Sequence, residues 1–481
     1  MSEQPGRREI DLLLSLHIFS MEGHHYAVDG ASGRALSLDA AAVRGMERLR
    51  RAPREVKWPV IGGPALGGGL RELAMFLVGS ARAEERSRLA LVDPDPPTEV
   101  ELCLCATFRC DLACHYCFVR LAHGDRHDAR TDMSLATAKA AVDLFLGRLH
   151  PQTERLSVTF GHTGEPLLVR ALYEQLREYL LRKSRETGRE ILCNTSATNL
   201  TLAKWPDLPP MSWLSVSLDG PRRVHDRVRV FPDGRGSYDI AAPRLREVMA
   251  SASFEPGEVQ ASAILTAHST DIKGIFLHLV SLGGPRVTMC PVRLPPTSDL
   301  AITESVAGGL LYGYDELLSY LLTLEHEALV YYLKRLVDRS DYFGRYFLRV
   351  ATGKRGVRRC SAGIGMFAVV PSGKVFPCAS LGVLGRLYLG AVQHGIDEPS
   401  LLALRRRRVW DTAACVRCWA RLICGGDCLS SSALYEPYGK PPDPGICALS
   451  RGLIERAIHF LARLRQERAD VLAALPGLGT E

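Results

Sequence analysis

Between residues 98 and about 293, short apolar stretches alternate with longer ones of helical spacing, and this limits the fold more than any other feature. The predicted strands are 98–107, 155–160, 191–196, 213–219, 258–266 and 286–293. Helical patterns lie between them, as in 137–149 and 171–186. Repeated βα units imply a largely parallel sheet, open or barrel-like. Six units are fewer than the eight of a closed TIM barrel, so the expectation is α/β, a partial (β/α)6 TIM-like barrel. Chemistry in such folds sits where the strands end at their C-termini.

The chain of 481 residues is too long for one ordinary domain. Residues 1–95 combine an alternating, turn-centred segment (24–38) with helical spacing from Asp39, a possible N-cap, to 52. A glycine-rich break at 62–69 and a second helical stretch at 70–89 follow, and the whole reads as a winged-helix-like module. The proline-rich segment 92–97 is a linker. The parallel region is taken as 96–300, a Leu- and Tyr-rich helical connector as 301–355, and a cysteine-dense segment as 356–455. That segment is expected to have little secondary structure of its own and to depend on metal. A terminal amphipathic helix covers 449–475 and gives a last unit, 456–481.

Hydrophobic residues at 46% and charged residues at 23% are ordinary globular composition, which excludes disordered and fibrous chains. No apolar run is long enough to span a bilayer, and the N-terminus lacks a signal-peptide cleavage pattern. Sixty Lys and Arg against 53 Asp and Glu give a net +7, weak support for nucleic acid and equal support for an acidic peptide. The one basic run, Arg405–Arg408, reads as a solvated face. The expectation is a cytoplasmic, oxygen-sensitive protein with no membrane association, and nucleic acid is not the favoured partner.

Fourteen cysteines in a chain without a secretion signal point to metal. Cys110, Cys114 and Cys117 follow the first strand in a CxxxCxxC loop. Three thiolates take three corners of an iron–sulfur cube and leave one iron open; a structural zinc loop completed by His115 is the alternative. After the second strand stands Gly161-His-Thr-Gly164-Glu165-Pro166, and residues 194–199 read NTSATN after the third. Ser217, Asp219, Gly220 and Pro221 follow the fourth, with His225, Asp226, Arg229 and 234–238 (GRGSY) beyond. Near the C-terminus come Cys360, Cys378, Cys415, Cys418, Cys424, Cys428 and Cys447, with Gly373 between the first two. Two structural zinc sites are the plainer alternative here. Cys103, Cys105 and Cys193 read as small buried hydrophobes.

These motifs together resemble the radical S-adenosylmethionine (SAM) superfamily, and within it the peptide maturases with a C-terminal seven-cysteine SPASM domain. The resemblance implies a 4Fe–4S cluster on Cys110, Cys114 and Cys117 whose open iron chelates SAM. In that family one electron cleaves the SAM carbon–sulfur bond, and the 5′-deoxyadenosyl radical released takes a hydrogen atom from the substrate. Tyr116, Gly164, Glu165, Ser217 and Arg229 would bind SAM: Glu165 its ammonium, Ser217 its ribose, Arg229 its carboxylate. Gly164 and Glu165 stand in a family Gly-Gly-Glu-Pro pattern in which Thr163 replaces the first glycine. Cys415, Cys418, Cys424 and Cys447 would hold one auxiliary cluster. Cys360, Cys378 and Cys428 would hold a second, short of a fourth cysteine that some relatives place just before Cys360; Cys290 is one substitute. Sulfatase maturases carry an aspartate base after the cysteine corresponding to Cys378; Ala379 stands here, which demotes that activity.

The N-terminal segment resembles leader-binding modules of enzymes that modify ribosomally made peptides. Thioether-forming maturases carry such segments, among them those acting on cysteine-rich peptides and on the small subunit of quinohemoprotein amine dehydrogenase. The leading expectation is peptide thioether formation, with a reductant such as flavodoxin or ferredoxin. Rivals are carbon–carbon cross-linking, epimerisation with Cys193 or Cys290 as hydrogen donor, and an iron–sulfur scaffold or redox sensor without turnover. No catalytic acid or base is assigned.

Overall fold

The computed structural model describes residues 16–30, 33–44, 96–123, 132–202, 208, 211–251, 258–283, 285–426, 428–431, 443–475 and 478. The expected helices across 45–89 and the linker residues 92–95 lie outside them.

All six sequence-predicted strands of the parallel region form. They are β4 (Glu99–Leu104), β5 (Arg155–Gly161), β6 (Glu190–Thr198), β7 (Leu214–Ser217), β8 (Val259–Leu265) and β9 (Arg286–Pro291), after β1 (Leu16–Met21), β2 (His24–Asp29) and β3 (Ala35–Leu38). Strands β4 to β9 pair in chain order and in parallel throughout. A sequential order with crossovers of one hand places the connecting helices on a single face. The side chains agree. Leu102, Leu104, Leu156, Val158 and Phe160 pack against Ala138, Val142, Tyr173 and Leu176 of α2 (Leu135–Leu146) and α3 (Arg170–Thr187), which follow the short α1 (Phe118–His123). Val216, Ala261, Ala263, Val287 and Met289 pack against α4 (Tyr238–Ala250) and α5 (Ile272–Ser281). Residues of opposite parity are polar or small yet buried: Ser157, Thr159, Asn194, Ser215, Ser217, Gln260 and Thr288. They bond to one another, Asn194 Nδ2–H to Ser157 Oγ at 2.6 Å and Gln260 Nε2–H to Thr288 Oγ1 at 3.0 Å. A polar face held out of water is suited to line an internal site.

The cysteine-dense segment departs from expectation. It forms β10 (Met366–Val369), β11 (Lys374–Phe376), β12 (Gly390–Ala391) and β13 (Gly395–Ile396), which continue the same sheet in the order β13-β12-β11-β10-β4. β10 runs parallel to β4, with Met366 opposite Glu101 and Val369 opposite Leu104. These strands gain from an existing sheet edge a stability that two to four residues lack alone.

Three helices, α6 (Glu304–Leu322), α7 (His326–Leu336) and α8 (Tyr342–Thr352), form the connector. After α9 (Ala379–Val383), α10 (Pro444–Glu467) closes the chain against α6 and α8 through Leu453, Ala457, Phe460 and Leu464. Asp443 caps α10 by accepting from the Gly445 and Ile446 N–H groups, and Pro444 stands in its first turn. The helix therefore starts before 449, and the boundary at 455/456 falls inside it. Asp39 caps as expected, accepting from the Ala42 N–H at 2.6 Å.

The N-terminal sheet, β1-β2-β3, sits on α10 and on the cysteine-rich segment. The Tyr26 hydroxyl lies 2.9 Å from His459 Nδ1, and the His17 ring stacks on Trp419 at 4.0 Å between centroids. The basic run is a solvated face only in part: Arg406 is exposed, whereas Arg408 is buried and its Nη1–H donates to the carbonyls of Arg405 and Arg407. Among the described residues no helix is long and apolar enough to cross a membrane.

Candidate functional site

The CxxxCxxC loop leaves the C-terminal end of β4 and is strapped on two sides. Toward β5, the Gly164 and Glu165 N–H groups donate to the carbonyls of Thr107 and Arg109 at 3.0 and 2.8 Å. Toward the segment after β7, the Ala113 and His115 N–H groups donate to the Val230 and Val228 carbonyls at 2.7 and 2.9 Å. Gly164 is needed here because a Cβ would run into the Arg109 and Thr107 carbonyls. Sequence reading gave this glycine to cofactor contact; its close approach to the loop backbone is a separate reason for it.

Glu165 is 1% exposed. Its carboxylate accepts from Thr198 Oγ1–H at 2.7 Å, the Asn199 N–H at 2.8 Å and the Leu167 N–H at 3.0 Å. It thus ties the turn after β5 to the end of β6, and one of its roughly four acceptor positions remains. Burial raises its pKa to about 7 against the pull of those donors. Asn199 also donates to Asp111 Oδ1 at 2.8 Å, which fixes the loop between Cys110 and Cys114.

The group that spacing did not assign is Asp219, 1% exposed. Its Oδ2 accepts from Tyr116 O–H at 2.6 Å and Arg229 Nε–H at 3.0 Å, and its Oδ1 from the Ile264 N–H at 2.9 Å. Tyr116 and Arg229 are therefore joined through it, with the guanidinium 5.4 Å from the phenol centroid. Arg229 is buried, and among the described residues its two terminal nitrogens donate no hydrogen bond. Such a fork matches a carboxylate in two bonds. Ser217, 5% exposed, ends β7 on the polar face. A buried Asp beside an Arg in a Ser-x-Asp strand end was the available signal.

His225 orients this group. Its Nδ1 accepts from the Asp219 N–H at 3.3 Å, and its Nε2–H donates to Ser237 Oγ at 2.9 Å, which in turn donates to the Arg229 carbonyl at 2.9 Å. That chain requires neutral imidazole. Burial lowers the His225 pKa from 6.5 to about 4. The unfolded chain takes up the proton near pH 6.5 and the folded chain only near pH 4. Stability is therefore full above pH 6.5 and falls by about 3 kcal/mol as pH drops toward 4. Denaturant midpoints between pH 7 and 4 should show this loss in the wild type, and His225→Gln should lack that part of the slope. Parallel slopes would contradict the assignment.

The fourteen cysteines are all free of disulfides. Burial raises the Cys110 thiol well above its usual range and Cys114 to about 11, so each stays protonated at neutral pH unless a metal takes its sulfur. Cys415, Cys418, Cys424 and Cys447 line one cavity with Tyr342 and Ser450. Burial raises the Cys360 and Cys378 thiols, and Cys428 stands close enough that its charge raises both further. As they stand, no three His, Cys, Asp or Glu side chains among the described residues are gathered tightly enough to hold a metal ion. A cube, which gives each thiolate its own iron, asks for wider spacing than a single ion does. The donor sets fit such a cluster in kind and grouping: soft thiolates in threes and fours around buried space. Cys103 and Cys105 are buried among Phe108, Val119, Val370 and Phe376 as expected. Cys193 packs with the helix-facing core, away from the polar face, which removes it as a hydrogen donor there. Cys290, the last residue but one of β9, has the polar parity and opposes Ile264.

No protein-family model matches the chain, and no curated protein matches it. Among solved structures it is similar to polyhistidine-tagged anSMEcpe with bound AdoMet, with a TM-score of 0.59 and 18% identity over 78% of this chain and 98% of that one. Native anSMEcpe with bound AdoMet and the Cp18Cys peptide gives 0.56 and 16% over 76% and 98%. Streptococcus suis SuiB gives 0.48 and 13% over 90% and 98%. At these identities the likeness to anSMEcpe is one of fold: a mixed α/β chain built on one large, mainly parallel sheet.

Proposed function

We propose that the chain is a radical SAM enzyme that modifies a ribosomally made peptide or small protein subunit. One observation carries this reading. The Cys110–Cys117 loop, the Glu165 turn, Ser217 and the Asp219–Arg229 pair stand at or just beyond the C-terminal ends of β4, β5 and β7 in one parallel sheet, and hydrogen bonds join the loop to the Glu165 turn and, through Tyr116, to Asp219 and Arg229. Cys110, Cys114 and Cys117 would hold a 4Fe–4S cluster, which with SAM bound supplies a radical able to take a hydrogen atom from carbon. Arg229 gives its two unengaged nitrogens to the SAM carboxylate. Glu165 has one acceptor position for the ammonium, and Ser217 offers its hydroxyl to the ribose. Tyr116 acts through Asp219, keeping Arg229 in place. That buried, polar lining restrains side reactions with water.

An extended peptide can bind by adding a strand to an exposed sheet edge. The three-stranded N-terminal sheet has its edges in β1 and β3, and its body rests on α10 and Trp419, beside Cys418. This supports a leader-binding role for it. Both solved anSMEcpe complexes above carry AdoMet, and one carries a peptide.

The finer reading is thioether formation. It exchanges one carbon–hydrogen and one sulfur–hydrogen bond for a carbon–sulfur bond, so the peptide loses two hydrogens. Cys360, Cys378 and Cys428 leave one ligand position of a four-iron site unfilled within their own set, and a substrate thiolate has the right chemistry for it. Buried Ala379 offers no base after Cys378, which argues against formylglycine formation. Co-expression with the peptide encoded nearest the gene tests this by intact mass before and after thiol alkylation. Two hydrogens lost per link, with one cysteine per link refusing alkylation under reduction, is expected. Lost hydrogens with every cysteine alkylatable would move the reading to carbon–carbon bonding. Unchanged mass with deuterium incorporation would move it to epimerisation, for which Cys290 is the remaining donor.

A further inference from the structure

Arg349 and Arg359 are cations without an anion among the described residues. Arg359 is 9% exposed; its Nη1–H donates to the Tyr346 hydroxyl at 2.7 Å, and its guanidinium lies over the rings of Tyr342 and Tyr346, 4.6 and 5.7 Å from their centroids. Arg349, on α8, donates Nη1–H to the carbonyls of Ile423 and Cys424 at 2.6 and 2.8 Å. Gly356 and Gly425 leave room for it, since a Cβ on either would press on its guanidinium. Among the described residues neither arginine has a carboxylate within ion-pair distance. A charge removed from water is costly unless an opposite charge is near. Buried Arg229 has Asp219 and part-buried Arg456 has Asp315, whereas buried Arg408, like Arg349, is held by backbone carbonyls.

The thiol that bears on both arginines is Cys424, which carries a negative charge once a metal takes its sulfur. Arg349 bonds the Cys424 carbonyl, and the Tyr346 hydroxyl that receives Arg359 lies 3.9 Å from Cys424 Sγ. Arg359 also directly precedes Cys360, of the other set. An iron–sulfur site gains a negative charge when reduced, and a fixed cation nearby stabilises the reduced form. Buried charges are screened little by salt. Building on the iron–sulfur reading above, we infer that Arg349 and Arg359 are the built-in countercharge of the auxiliary clusters and hold their reduction potentials up. Arg359 acts on both cysteine sets, Arg349 on the set of Cys415, Cys418, Cys424 and Cys447 alone. The clusters are thereby poised to accept the electron that bond formation on the peptide releases.

The test is a potentiometric titration of the reconstituted full-length protein followed by electron paramagnetic resonance. The signal that changes on adding SAM is assigned to the first cluster and set aside. Arg359→Gln is expected to lower both remaining midpoints, and Arg349→Gln one of them. The expected shift is at least tenfold in the oxidised-to-reduced ratio at fixed poise, about 59 mV for one electron. Arg359→Lys, which keeps the charge, and Arg170→Gln, a surface pair with Glu174, should titrate as the wild type. Unmoved midpoints in both glutamine variants with iron intact overturn the inference and leave the enzyme reading standing. If Arg359→Gln fails to retain iron, an unmoved Arg349→Gln midpoint is enough to overturn it. A wild-type protein with iron at the first site only overturns the inference together with the auxiliary clusters.

Discussion

Asp219→Ala should destabilise the protein by about 3–5 kcal/mol and weaken SAM binding at least about tenfold. The carboxylate is 1% exposed and takes three hydrogen bonds, from Tyr116, Arg229 and the Ile264 N–H. Its removal strands the buried Arg229 guanidinium and the Tyr116 hydroxyl at once. A lost partner to a buried charge costs far more than a surface pair, whose removal costs about 0–1 kcal/mol. Asp219→Asn keeps the shape and removes the charge. It should keep more of the fold than alanine while losing a similar share of SAM affinity, because an uncompensated Arg229 no longer holds its direction. Urea denaturation under anaerobic conditions and SAM titration by calorimetry measure the two losses separately. An alanine variant within about 1 kcal/mol of wild type would remove Asp219 as the organiser of the site.

The second large effect concerns the loop after β4. Changing Cys110, Cys114 and Cys117 to alanine together should remove about four irons per chain and abolish reductive release of 5′-deoxyadenosine. The fall expected is about six orders of magnitude or more, the low end of what enzymes supply. The loop is held by backbone bonds to Gly164, Glu165, Val228 and Val230, none of which uses a thiol, so the variant should still fold. Auxiliary iron should persist, because those cysteines lie on other elements, around α8, α9 and α10. Iron content, circular dichroism and 5′-deoxyadenosine release by chromatography give three independent readings. Normal release from the triple variant would end the radical SAM proposal, whereas loss of all iron would show that the sites assemble together.

Much of this arrangement was legible in the chain. Alternating apolar runs located all six strands from β4 to β9, because each is buried on a helix-facing side and carries its own period. Cysteine spacing gathered Cys110, Cys114 and Cys117, because residues of one short loop are close whatever the fold, whereas the division of the C-terminal cysteines rested on resemblance alone. The four strands β10 to β13 were not legible. Two to four residues carry no reliable period, and their stability comes from pairing with β4, far away in sequence. Glu165 was found by motif, but two of its three donors, Thr198 and Asn199, come from the end of β6, more than thirty residues away in sequence. The burial of Arg408 was misread for the same reason, since a run of arginines shows charge and not the carbonyls that receive it.

The sequence by itself determined what depends on local order: strand periods, caps such as Asp39 and Asp443, and the closeness of Cys110, Cys114 and Cys117 in one loop. Tertiary structure alone decided that Asp219 joins Tyr116 to Arg229, that the cysteine-rich segment extends the parallel sheet, and that Arg349 and Arg359 face thiol-bearing segments without a carboxylate among the described residues. Those outcomes depend on burial and on groups brought together from distant segments. Burial sets the cost of each charge, and only the folded chain determines which partners are within a hydrogen bond's reach.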